Sequence, residues 1–101
     1  MKLNYYETTC ILKPDIKTDK HSDLINEFKN LIKKNGAKNI LIQHKGRKHL
    51  SYNINHYYDG IYIQVNYKGN GNIVKNLHNT MKLNNNIIRY LTVKQNTQDK
   101  V

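Results

Sequence analysis

Tryptophan is missing from this 101-residue chain, and phenylalanine, proline and cysteine occur once each. Arginine occurs twice, and 7 acidic residues face 17 lysines and arginines. Each scarcity excludes something. The lone cysteine, Cys10, allows neither an internal disulfide nor a cysteine-based metal cluster. A reducing compartment is the natural reading. No apolar run approaches the ~18–20 residues of a membrane span; the longest are like Ile40-Leu41-Ile42. Met1 to Glu7 hold no secretory apolar stretch, and no long Ser- and Arg-rich transit segment is expected. The length fits one domain. Such a domain buries about 60–65% of its unfolded surface, so its core is thin.

What is abundant is as uneven. Asn, Lys, Ile and Tyr make up 51 residues of the 101. All four have codons rich in A and T, which marks an AT-rich genome, such as that of an organelle or a reduced bacterium. Many asparagines therefore sit where another polar residue would serve. The formal charge is +10. That exceeds the magnitude of ~2–8 that solubility asks of a small domain, and it attracts polyanions.

Residues 3–12 are rich in aromatic and β-branched types and read as a strand. Lys13-Pro14-Asp15 ends it. Thr18-Asp19-Lys20 offers a helix N-cap with an acid in the first turn. Leu24, Ile25, Phe28, Leu31 and Ile32 then form one helical stripe. With Lys33 and Lys34 in the last turn and Gly36 at C′, a helix is predicted over 19–35.

Residues 37–54 read as extended, with a bend or bulge at Gly46. Tyr58-Asp59-Gly60 reads as a turn. Ile61, Ile63, Val65 and Tyr67 alternate with Tyr62, Gln64 and Asn66, completing a hairpin. Asn72 is the expected N-cap of a second helix over 72–83, whose stripe is Ile73, Val74, Leu77 and Met81. Asn84-Asn85-Asn86 breaks it, and Ile87 to Val93 is a last strand. The order β-α-β-β-α-β predicts an α+β, ferredoxin-like sandwich, a four-stranded antiparallel sheet with two helices on one face. It spans residues 1–95, and 96–101 form a polar C-terminal tail.

Catalytic constellations are poorly supplied. Four of the 7 acids fall at the first helix or the loop before it, where they serve the dipole. The five histidines are scattered without HxH or HExxH spacing, so no metal is expected. His44 and His49 fall on opposite strand faces unless a bulge at Gly46 shifts the phase. Cys10 reads as a buried small hydrophobe. Gly69-Asn70-Gly71 lacks the further residues of a dinucleotide fingerprint or P-loop. A basic amphipathic membrane helix is disfavoured, because the first helix's stripe is the one a sandwich core needs.

The basic constellation is denser. Residues 44–49 read His-Lys-Gly-Arg-Lys-His beside the bend. Arg47 and Arg89 are arginines in a chain whose genome disfavours them, which suggests that their bidentate geometry is used, for instance on phosphates. Candidate RNA-binding residues are Lys2, Lys45, Arg47, Lys48, His49, Arg89 and Lys94, if the strand ends lie close. Tyr5, Tyr6, Tyr52, Tyr62 and Tyr90 are interleaved, available either for base stacking or for the core.

Several strings resemble the bacterial-type ribosomal protein six family of the small subunit. Tyr6-Glu7 through Lys13-Pro14 resembles its opening strand. Gly46-Arg47-Lys48-His49-Leu50-Ser51-Tyr52-Asn53-Ile54 resembles its Gly-Arg-Arg-x-Leu-Ala-Tyr-Pro-Ile signature, with Ser51 for the usual Ala and Asn53 for the usual Pro. Asp59-Gly60-Ile61-Tyr62 and Asn86 through Lys94 resemble its later strands. The match spans about residues 4–94. The resemblance implies a non-catalytic constituent of the small ribosomal subunit. It would bind the central domain of small-subunit ribosomal RNA together with ribosomal protein eighteen. It implies no cofactor, no small-molecule substrate and no membrane. The codon bias turns the expected location towards a plastid (chloroplast) ribosome, with a bacterial cytoplasm as alternative. An RNA-recognition-motif protein shares the element order, but Tyr62-Ile63-Gln64-Val65 lacks the Lys/Arg-Gly-Phe lead. An acylphosphatase-like enzyme would need a glycine-rich phosphate cradle beside the first strand, and none is there.

Overall fold

The computed structural model describes residues 4–54 and 56–95. Six elements follow in order: β1 (Asn4–Leu12), α1 (Thr18–Lys34), β2 (Lys38–Ile54), β3 (Tyr57–Gly69), α2 (Gly71–Lys82) and β4 (Ile87–Gln95). The strands form one antiparallel sheet in the order β2-β3-β1-β4. This is the ferredoxin-like arrangement expected. No helix among the described residues is long and apolar enough to cross a membrane.

Alternation decides which face of each strand is covered. On β3, Ile61, Ile63, Val65 and Tyr67 are buried, while Tyr62, Gln64 and Asn66 between them stay partly open. Thr8, Cys10 and Leu12 continue the covered face on β1. Leu24, Phe28 and Ile32 of α1 and Ile73, Leu77 and Met81 of α2 close over it. The stripes read from the sequence are therefore the core stripes. Among the described residues, the other sheet face carries no helix.

α1 ends as its sequence demands. Gly36 takes φ +99°, the left-handed region a side chain resists. Its N–H donates to the Lys33 carbonyl at 3.1 Å, and that of Ala37 to the Ile32 carbonyl at 2.9 Å. These are the two bonds of a Schellman end. The other end corrects an expectation: the N-cap is not at Thr18 but at Lys17, which is extended and makes no side-chain cap bond, and Thr18 lies one residue inside the helix.

Two further expectations are corrected. The α2 cap is Asn70, not Asn72: the Asn70 side-chain oxygen accepts from the Ile73 N–H at 3.1 Å. The hairpin turn is not at Tyr58-Asp59-Gly60. β2 runs to Ile54, His56 takes φ +69°, and β3 has begun by Tyr57. Asp59 and Gly60 pair with His49 and Lys48 inside the ladder. Gly60 is glycine because of close packing: a Cβ there would stand 2.2 Å from Ile11 Cγ2. The bulge at Gly46 is present, with φ +89° and a register shift between His44 and Gly46. The proposed tail at 96–101 lies outside the described residues.

Candidate nucleic-acid and protein interface

The uncovered sheet face is built by register. Tyr62 lies opposite Ile11, and Ile11 opposite Arg89. Leu91 and Val93 follow Arg89 on the same phase of β4, 61% and 51% exposed. An apolar groove of about 310 Å³ lies here, lined mainly by Ile11, Leu50, Tyr52, Tyr62, Arg89 and Leu91.

The groove joins the two outer strands of the sheet. Three strand spacings would separate them by about 14 Å in a flat sheet. A bulge adds twist to the bulged strand, and two long side chains cover the remaining distance. Arg89 Nη1 donates to the Tyr52 hydroxyl at 2.8 Å. That bond, and secondly the phenol's charge when ionised, push the guanidinium pKa above its already high value. Arg89 is thus a permanent cation held over an apolar floor. On the same face Lys48 Nζ sits 5.7 Å from the Tyr62 ring centroid, within cation–π range.

The seven candidate residues do not form one cluster. Lys2 lies outside the described residues. Lys45, at the bulge, and Lys48 are exposed near the groove. Arg47 sits on the opposite phase and is engaged: Nε and Nη2 donate to Asp59 Oδ2 at 3.3 and 3.2 Å, and Nη1 to the Pro14 carbonyl at 3.4 Å. His49 stands against the same carboxylate. His44 and His49 pair with Ile63 and Asp59, four residues apart on β3, so the bulge does bring them to one face. Lys94 pairs with Tyr6, five residues along β4 from Arg89 and about 17 Å away. The strand ends therefore do not all lie close. Two poles exist, one at the hairpin and one where β1 begins.

Of the interleaved tyrosines, Tyr6 and Tyr90 pack against the core, while Tyr52 is 62% exposed. Tyr5 lies under Lys68 Nζ at 5.4 Å. Sequence reasoning missed Lys68 and its neighbours, because their proximity is made by strand register. It also passed over Leu91 and Val93, whose exposure follows from the parity of β4.

Nothing in the described residues suggests bond-making chemistry. Burial pushes the Cys10 thiol up to about 12, which leaves it protonated and inert. No group of three or more His, Cys, Asp or Glu could hold a metal among the described residues.

Comparison with known proteins identifies the arrangement. The profile of the family Ribosomal protein S6 matches residues 5–94. Small ribosomal subunit protein bS6c of Porphyra purpurea is 50% identical over 101 residues, covering 100% of this chain and 90% of that protein. The bS6c of Pyropia yezoensis is 55% identical over 95 residues, 94% of this chain and 87% of that protein. The crystal structure of 30S ribosomal protein S6 from Thermotoga maritima superposes with a TM-score of 0.86 at 23% identity, covering 93% of this chain and 89% of that one. That likeness carries the fold; the family match and the close relatives carry the identity. This chain belongs to the ribosomal protein S6 family, whose members are structural, non-enzymatic proteins of the small ribosomal subunit.

Proposed function

We propose that this protein binds small-subunit ribosomal RNA in its central domain together with ribosomal protein eighteen. The observation that carries the reading is the uncovered sheet face. Its centre is an apolar groove with exposed Leu91, Val93 and Tyr52, and its margin carries Lys45, Lys48 and Arg89. An apolar patch rimmed by charge is what a protein partner covers. Lysines around such a patch neutralise phosphates of an RNA that touches both proteins. The location is the plastid ribosome, in keeping with relatives named bS6c at 50–55% identity. A Cyanothece bS6, 39% identical over 94 residues, fits the same role in a bacterial cytoplasm.

The experiment is binding of the central-domain RNA with and without ribosomal protein eighteen. The two proteins together should bind far more tightly than either alone. Leu91→Asp should weaken that joint binding at least tenfold, while thermal stability stays near wild type, because Leu91 is exposed. Joint binding that ignores Leu91→Asp removes the groove as the partner site.

A further inference from the structure

The charge of this molecule is segregated along the strands. At the hairpin end and the N-terminal half of α1, acids are interspersed among the cations. Lys13, Lys17 and Lys20 alternate in sequence with Asp15 and Asp19, and Arg47 pairs with Asp59. At the opposite end, β1 begins, α1 ends, β2 begins, β3 ends and β4 ends. Six lysines gather there: Lys33, Lys34, Lys38, Lys68, Lys75 and Lys94. Register fixes their proximity: Lys38 pairs with Lys68, Lys68 with Tyr5, and Lys94 with Tyr6. A bond from Asn76 Nδ2 to Asn35 Oδ1 at 3.5 Å ties α2 to the end of α1. The nearest acid in β1 is Glu7, which accepts from Gln95 Nε2 at 3.4 Å.

The Lys38–Lys68 pair is the telling feature. Like charges directly opposite on neighbouring strands destabilise a sheet. No ion pair joins either lysine to an acid among the described residues. In the free protein this end carries an electrostatic cost that an external polyanion would remove. We propose that this end, centred on Lys38, Lys68 and Lys75, is a docking surface for the phosphate backbone of folded RNA, separate from the groove on the sheet face. The inference rests on the ribosomal RNA reading above and adds a second phosphate-binding surface, at the end of the molecule away from the hairpin. Lys94 belongs to this surface; Arg47 does not.

The test compares two charge-matched triples: Lys38→Gln/Lys68→Gln/Lys75→Gln, and Lys13→Gln/Lys17→Gln/Lys20→Gln. Affinity for the central-domain RNA, with ribosomal protein eighteen present, is measured against salt concentration. Each phosphate contact contributes about 0.9 to the slope of log K against log salt on a duplex. The first triple should lower that slope by about 2–3 and the low-salt affinity at least tenfold. The second should leave the slope near wild type. Lys68→Gln alone should raise or preserve the thermal midpoint while weakening binding, an outcome that separates a binding role from a folding role. Equal loss from both triples would reduce the effect to net charge, and an unchanged slope in the first would remove this surface; either overturns the inference while leaving ribosomal RNA binding intact. A wild-type pair that does not bind the RNA would overturn the function reading and this inference with it.

Discussion

A short chain of hydroxyls shows how one residue can set a response to pH. The Tyr67 hydroxyl, fully buried, lies 3.1 Å from Thr8 Oγ1, which lies 2.7 Å from Thr92 Oγ1, which meets His78 Nε2. Tyr67 has to give its hydrogen to the threonines, since a buried donor without a partner is costly. Each threonine then passes its own hydrogen outward, and His78 Nε2 receives the last one. That polarity needs a neutral His78, and burial pushes its pKa below the ordinary 6.5. The folded state therefore binds a proton less readily than the unfolded chain. Stability from this site is complete above about 6.5 and falls as pH drops below it. Thermal midpoints measured from pH 7.5 down to 5 should decline, and His78→Gln should flatten part of that decline. An equal decline in the variant would remove His78 as its source. Burial also pushes the Tyr67 pKa upward, so the phenol remains a donor across this range.

Among the elements, the legible parts were those governed by local periodicity. The alternation from Ile61 to Tyr67 and the stripes from Leu24 and Ile73 are visible because burial repeats every two or every 3.6 residues. Local chemistry also marked Gly36 as a helix end. What misled was a residue type serving a distant need. Asp59-Gly60 has the form of a turn, yet Gly60 is small because Ile11 of another strand passes against it. Asn72 resembled a cap in an asparagine-rich stretch, while Asn70, two residues earlier, does the capping. Asn70→Ala should cost about 1 kcal/mol, and Asn72→Ala should be nearly neutral, both read by chemical denaturation. Equal costs would reject the assignment. The candidate site was legible residue by residue and not as a constellation. Arg47 finds Asp59 across the hairpin, and Lys38 finds Lys68 across a ladder, through register that no short window contains.

At the scale of the whole molecule, a charge of +10 is a standing repulsion as well as an attraction for RNA. Raising salt from about 10 mM to 150 mM shortens the Debye length from about 30 Å to 8 Å. The thermal midpoint of the free protein should rise with that change, and a polyanion should raise it further at low salt. A midpoint indifferent to salt would mean that the lysines are too well solvated to repel. The sheet order has another consequence. β1 lies between β3 and β4, so the first strand made is flanked on one side by the last. Tyr5 lies opposite Gln95. During synthesis β1 can gain its β3 neighbour early, but its second edge stays bare until β4, the last of the six elements, has left the ribosome that makes it. Closure of this sheet therefore waits on both helices and the β2–β3 hairpin, all of which are made before β4.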